Sequence, residues 1–207
     1  MTSSRMQDTM VAVFDPASRT PASSLTAPAA VSRSALAVLR KGGNVRQSLE
    51  ELLNHGLPVD ALTLVARTLP KRYVVAWACD CLKGALANDP AADDVDRAGL
   101  ALAQQWLADP TEEHRRAALD FAERGEFGSP GAWIAASAGW SGGSLLPRGY
   151  DVVPPPDHLP AEAAVATLRL VAARSSDYTG TLQTFIDRAL QIFGGANAAA
   201  RAAGAES

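Results

Sequence analysis

The sequence predicts an all-α fold: a compact bundle of about eight helices with one long ordered loop. Apolar residues recur at helical spacing through most of the chain, and prolines and glycines mark short turns between these stretches. No convincing stretch alternates apolar and polar residues as a half-buried strand would. Helix pairs in series would also fit a short α-solenoid, but no fixed-period repeat is present, so the bundle is preferred.

Three helices are predicted in the first half of the chain. The first carries an apolar face from Val45 and stops at Asn54-His55-Gly56, and the second opens at Pro58. The third opens at Pro70 and is apolar on two faces, with Trp77 on one and Cys79 on the other. This pattern predicts that the third helix lies in the middle of the bundle.

Five further helices are predicted in the second half, each from an apolar stripe and a start or stop signal. Asp109-Pro110-Thr111-Glu112 is the clearest start, with a capping acid, a first-turn proline and a glutamate placed to reach back. The other four are predicted around Val95–Trp106, from Pro130 through Trp140, from Pro160, and from Tyr178 to Phe193 before Gly194-Gly195.

The two ends of the chain differ in composition from its middle. Residues 1–28 are rich in Ser, Thr, Ala and Pro, which predicts a mostly disordered arm that proteases cut first. Residues 196–207 are rich in alanine and lack large apolar side chains, which predicts a frayed tail. Residues 29–195 are therefore expected to form a single helical domain.

Charge and hydropathy exclude several classes of partner. The net charge of −3 provides no basic stripe for a nucleic acid and no polybasic anchor for a membrane surface. No run of about 18 apolar residues could span a bilayer, and no apolar stretch follows Arg5 to form a secretory signal. We therefore expect a cytoplasmic protein.

The sequence offers no convincing metal or cofactor site. Cys79 and Cys81 are two positions apart, so on a helix their side chains point about 200° from each other. The three histidines, His55, His114 and His158, are scattered. We expect two buried, inert thiols, no metal ligand and no organic cofactor.

The segment after the helix at Pro130 could hold a nucleophile, although no complete catalytic set is present. Gly139-Trp140-Ser141-Gly142-Gly143 matches the G-x-S-x-G pattern formally, but a helix precedes it where a strand is required. The preferred interpretation is that these glycines end the helix with positive φ, and no residue is assigned as catalytic. The enzymatic alternative is a small hydrolase that uses Ser141 or Ser144 with His158 or His114.

The same long segment is the main candidate for binding a partner protein. We expect residues 141–158 to be ordered and packed near Trp133 and Trp140, because they carry their own apolar side chains. Lys71 and Arg72 form a second candidate: cations are disfavoured in a first helical turn, so an acid such as Asp60 or an external partner should offset them. The candidate partner-binding residues are Lys71, Arg72, Trp140, Ser141, Gly142, Gly143, Ser144 and Pro155.

Several short strings, taken together, resemble a domain family of unknown function in Proteobacteria, over roughly residues 45 to 190. The strings are Leu69-Pro70-Lys71-Arg72, Trp77-Ala78-Cys79, Trp106 with Asp109-Pro110-Thr111-Glu112-Glu113-His114-Arg115-Arg116, Trp140-Ser141-Gly142-Gly143-Ser144-Leu145 and Val153-Pro154-Pro155-Pro156. The resemblance implies a genomic context near type VI secretion genes, and it implies no catalytic residues.

The leading functional hypothesis is a non-catalytic helical protein that binds another protein, as an adaptor or accessory factor of a bacterial secretion system. It depends on the missing acid–base set, the nearly neutral charge and the long loop on a helical scaffold. The alternatives are the small hydrolase and a self-associating structural subunit.

Overall fold

The computed structural model describes residues 30–87, 89, 93–147 and 149–204, with side chains described as far as residue 192. The predicted arm, residues 1–28, lies outside the described residues. The backbone is helical as far as Gly204, so it continues past residue 196, where the predicted tail begins. Fraying of that tail stays a prediction.

The all-α prediction is confirmed, because the described residues form nine α-helices and no strand. In chain order they are α1 (Arg33–Leu39), α2 (Val45–Asn54), α3 (Pro58–Thr68), α4 (Lys71–Ala87), α5 (Asp94–Ala108), α6 (Glu112–Arg124), α7 (Pro130–Gly139), α8 (Leu159–Ala173) and α9 (Tyr178–Gly204). Eight match the predicted helices. The ninth, α1, was missed because its seven residues are too few to show a clear period.

The described chain groups into two compact units. The first unit contains the residues up to Leu69 and those from Thr179 onward, and the second unit contains Pro70–Tyr178. The single domain predicted over 29–195 is not tested by this grouping. No described helix is both long enough and apolar enough to cross a membrane.

In the first unit, α2 contacts both α1 and α3. Asp60, which is almost fully buried, accepts hydrogen bonds from the Ser32 backbone N–H at 2.7 Å and from the Ser32 hydroxyl at 2.9 Å. Ser32 in turn caps α1 by accepting from the Ala35 N–H. Asp60 is therefore used at the start of α1, and it is not the acid that offsets Lys71.

The central helix of the second unit is α7, which contacts α4, α5, α6 and α8. Nine of its ten residues are buried, and the exception is Trp133. The two apolar faces of α4 instead predicted that α4 lies in the middle. Trp77 is buried on α4 as predicted, but the small residues of α7 let more helices approach it closely.

The closest approach in the second unit is between α5 and α7, at Gly99 and Gly131. A Cβ atom added to Gly99 would lie 2.0 Å from the Gly131 carbonyl oxygen, and one added to Gly131 would lie 2.5 Å from Asp96 Cα. The two backbones are therefore in direct contact, and no larger residue fits at either position without moving a helix.

Candidate functional site

The candidate site is the loop between α7 and α8, residues 140–158, of which residue 148 lies outside the description. Its root is held by Arg115 of α6, whose side chain is 3% exposed. The Arg115 guanidinium donates to both Glu112 carboxylate oxygens at 2.7 Å. It also donates to the Gly139 carbonyl oxygen, at the end of α7, and to the Ser144 carbonyl oxygen at 3.1 Å. One buried cation thus joins α6, the end of α7 and the loop.

A second arginine of α6 binds the loop further along. Arg116 donates to Glu112 at 3.0 Å and to the carbonyl oxygen of Leu146. The hydrogen bond from Arg115 lowers the pKa of Glu112 from 4.5 to about 2; burial opposes this shift and Arg116 adds to it. Glu112 is therefore ionised at neutral pH and holds both arginines in place.

This role differs from the one predicted for Glu112. The cap of α6 is Thr111, which accepts from the His114 N–H at 3.3 Å, and Asp109 and Pro110 precede the helix. Glu112 pairs forward with Arg115 and Arg116 instead of reaching back to the cap. The spacing of an acid followed by arginines three and four positions later was the signal available in the sequence. It gave no indication that Arg115 is buried.

Gly143 lies against the Arg115–Glu112 pair. Its φ is +66°, and an added Cβ would lie 2.5 Å from Arg115 Nε and 2.6 Å from Glu112 Oε2. Gly142, its neighbour, has open space where a Cβ would point. The prediction that these glycines end the helix with positive φ is wrong in detail. The helix α7 ends at Gly139 and its C-cap is Trp140, whereas the residue with positive φ is Gly143 in the loop.

Both serines of the loop have structural hydrogen bonds. The Ser141 hydroxyl donates to the Ser137 carbonyl oxygen at 2.8 Å, one turn back on α7. The Ser144 hydroxyl oxygen accepts from the N–H groups of Leu146 and Val153, both at 3.0 Å. These contacts shape the loop, and none of them activates a nucleophile.

The histidines proposed for a hydrolase have other contacts. His114 Nδ1 lies 2.8 Å from the Asp109 carbonyl oxygen, and His158 Nε2 lies 3.9 Å from Glu162. Among the described residues, neither histidine forms a hydrogen bond with Ser141 or Ser144. The structure therefore does not bring together the base and nucleophile that the enzymatic alternative requires.

The first limb of the loop, residues 140–147, and its second limb, residues 149–158, are joined to each other. The Leu145 N–H donates to the Val153 carbonyl oxygen at 2.7 Å, while the Val153 N–H donates to the Ser144 hydroxyl. Beyond this pair, Pro155 is buried and both of its proline neighbours are exposed. Pro155, a predicted partner-binding residue, is therefore shielded from solvent, and its role in binding stays a prediction.

Trp133 and Trp140 pack with Phe127, a residue that the sequence analysis did not single out. The ring centroids of Phe127 lie 5.3 Å from those of Trp133 and 5.6 Å from those of Trp140, and the two tryptophans are 6.3 Å apart. Phe127 and Glu126 both have positive φ, which turns the chain between α6 and α7 and places the Phe127 ring here. Contact of residues 141–158 with the two tryptophans stays a prediction.

Lys71 and Arg72 both have partners within the second unit. Lys71 Nζ lies 2.7 Å from Asp157 Oδ1, and this hydrogen bond lowers the pKa of Asp157. Arg72 donates to the Leu107 carbonyl oxygen at 2.7 Å, in the last turn of α5. Lys71 thus holds the far end of the loop, and the acid that pairs with it is Asp157, where the sequence suggested Asp60.

The part of the loop between these anchors exposes large apolar side chains. Tyr150 is 70% exposed and Val152 is 75% exposed, while Leu146 and Val153 are partly exposed. We call these four residues the loop tip. Scattered exposed apolar residues are ordinary, but several on one loop that is anchored at both ends are typical of an interaction site.

The described residues contain no group of three His, Cys, Asp or Glu side chains that could hold a metal ion. Cys79 and Cys81 are both buried, as predicted. Burial raises the pKa of the Cys79 thiol to about 12, so this group stays protonated and is a poor nucleophile. The expectation that the protein carries no metal or organic cofactor stays a prediction.

Comparison with known protein families identifies the family to which the chain belongs. The family of unknown function DUF6931 matches residues 48–193, which include most of α2, all of α3 to α8, the loop and most of α9, so the chain belongs to this family. No curated protein and no solved structure matches the chain significantly. The resemblance inferred from the sequence, to an uncharacterised domain family, is confirmed at that level.

Proposed function

We propose that this protein is a non-catalytic binding protein that holds another protein through its loop tip. The observation that carries the proposal is the contrast within the loop: a buried arginine clamps the root, while Tyr150 and Val152 are mostly exposed. A loop that is already fixed loses less conformational entropy when it binds. Tyrosine is also enriched at protein interfaces because one end is apolar and the other is polar.

The proposal is tested by photocrosslinking in the native cell. A photoreactive amino acid replaces Tyr150 in the full chain, and a matched variant carries it at Val95 on α5, which is an exposed apolar residue of the same unit outside the loop. We expect a defined crosslinked partner from position 150 and none from position 95. Equal crosslinking at both positions would contradict the proposal.

Two finer parts of the proposal depend on the resemblance noted from the sequence. We propose that the partner belongs to a bacterial secretion apparatus and that the protein acts in the cytoplasm as an accessory factor. The identity of the crosslinked partner tests the first part directly. A crosslink to a second copy of the chain would instead identify a self-associating subunit.

A further inference from the structure

We infer that the loop tip binds an extended segment of its partner by strand addition along Val152; this inference depends on the proposed function and specifies its binding mode. Strand addition means that a partner segment pairs its backbone with unpaired backbone groups of the loop.

Val153 fixes which way the second limb faces. Its carbonyl oxygen accepts from the Leu145 N–H and its own N–H donates to the Ser144 hydroxyl, so both groups point toward the first limb. In an extended chain the polar groups of successive residues point to opposite sides. The N–H and C=O of Val152 therefore point away from the first limb. Among the described residues neither group has a hydrogen-bond partner.

The surrounding chain keeps this segment extended and limits its length. Residues 151–156 are neither helical nor turned. Pro154 restricts Val153 to extended conformations. Pro154, Pro155 and Pro156 have no N–H to donate. The unpaired edge is thus confined to the residues just before Pro154. Such a short edge can pair with one peptide while it resists open-ended aggregation.

The side chains of the tip suit the same mode of binding. Val152 is the second residue of the extended stretch, and Tyr150 lies in the bend that immediately precedes this stretch. Tyr150 and Val152 are the two most exposed large apolar side chains among the described residues of the second unit. A partner strand would place alternate apolar side chains against them. Asp151, on the opposite face from Val152 and exposed, would favour a lysine or arginine at the adjoining position of the partner.

The size of the tip favours a peptide segment over a second copy of the chain. A stable interface buries about 800 Å² on each partner. Four side chains, two of them only partly exposed, cannot supply that area. Backbone hydrogen bonds add affinity without requiring a large apolar surface, and for this reason the occupant we assign is an extended, β-branched segment with a basic residue.

The experiment is a selection of short random peptides displayed on phage, with the full chain as bait. Val152→Pro removes the outward N–H and keeps the chain extended, whereas Val152→Thr keeps the N–H and the branched shape. We expect selected peptides to alternate apolar and polar residues. They should bind Val152→Thr nearly as well as wild type and bind Val152→Pro about tenfold more weakly, through loss of one hydrogen bond and the clash of the ring.

A second measurement covers the case in which Val152→Pro disturbs the loop. Each selected peptide is N-methylated at one position at a time and tested on the wild-type chain. Strand pairing predicts that methylation is harmful at alternate positions only, because only alternate N–H groups face the loop. Uniform tolerance, peptides with helical spacing, or no enrichment over Val152→Pro would each overturn the inference. Intact Tyr150 crosslinking beside any of these results would leave the proposed function standing.

Discussion

The two ends of α7 are each held by a buried charge, and the signs of the two charges are opposite. At the first end, the fully buried Asp96 accepts from the Gly131 N–H at 2.8 Å and pairs with Arg174. At the other end, the buried Arg115 donates to the Gly139 carbonyl oxygen. An anion at the N-terminus and a cation at the C-terminus both suit the helix dipole. The central helix is therefore stabilised at both ends by the same principle.

The two ends differ in what else the charge holds. Asp96 connects α5 and α7 to Arg174, the C-cap of α8, so all of its contacts belong to the helical scaffold. Arg115 also holds Ser144, which lies in the exposed loop. A charge that compensates the helix dipole can therefore stabilise only the packing of helices, as Asp96 does, or it can also fix a loop to the helices, as Arg115 does. Variants at the two ends should therefore separate stability from binding.

The largest effect is expected from Arg115→Ala. The substitution leaves the Gly139 and Ser144 carbonyl oxygens without their donor, and each buried polar group that loses its partner costs about 1–3 kcal/mol. The free energy of unfolding is measured by denaturant titration. Limited proteolysis should also cut within 141–158 earlier than it does in the wild-type chain. A stable variant with a protected loop would show that the arginine is not the anchor.

Asp96→Ala should destabilise the second unit by a smaller amount, about 1–3 kcal/mol, because only the Gly131 N–H loses a buried partner, while Arg174 is half exposed and can be solvated. The difference from Arg115→Ala lies in the loop, which keeps its own contacts. We expect the Asp96→Ala loop to resist proteolysis under conditions in which the rest of the fold is intact. Early cleavage in the loop would mean that the two ends of α7 are coupled.

The helical elements show how far the sequence predicts this fold. Eight helices follow from apolar spacing and from prolines such as Pro58 and Pro130 at their starts, because these signals are local. The central position of α7 does not follow, since it depends on contacts such as Gly99 with Gly131, 32 residues apart in the numbering. Small residues favour close packing but do not specify which helix approaches.

The candidate site shows a similar division. The loop and its glycines are evident in the sequence, and so is the charged first turn of α6. The link between them is a contact from Arg115 to Ser144, across 29 residues, and no local pattern encodes it. Because the start of a helix already explains acidic residues, Glu112 was assigned to capping instead of pairing. Long-range use of a side chain is what sequence reasoning missed.

Gly143→Ala should have a smaller effect that is confined to the C-terminal end of α7 and the loop that follows it. Alanine at φ +66° costs about 1–2 kcal/mol, and its Cβ would also displace Arg115 or Glu112. Gly142→Ala is the matched control, because its Cβ would meet open space. We expect a lower melting temperature and weaker Tyr150 crosslinking for Gly143→Ala, with Gly142→Ala near wild type. Equal behaviour of the two variants would show that close contact at Gly143 is unimportant.

The smallest expected effect is the pH dependence that Glu112 gives to the stability of the C-terminal end of α7, where Arg115 holds the loop. The pKa of Glu112 falls from 4.5 to about 2 on folding, so its ion pairs stabilise the folded state fully above about pH 4.5. That contribution declines as the pH falls below 4.5 and is lost near pH 2, where the folded state also binds the proton. Because the side chain is 40% exposed, solvent screens the pair and the contribution is small.

The melting-temperature gap between wild type and Glu112→Gln should therefore be widest at neutral pH and narrow steadily toward pH 3. Glu113→Gln, which removes the same charge at an exposed neighbouring position, should show a smaller gap at neutral pH. A gap for Glu112→Gln that is equal at pH 3 and pH 7 would mean that ionised Glu112 does not hold the arginines. The asymmetry between the two ends of α7 would then depend on the hydrogen bonds from Arg115 to Gly139 and Ser144 alone.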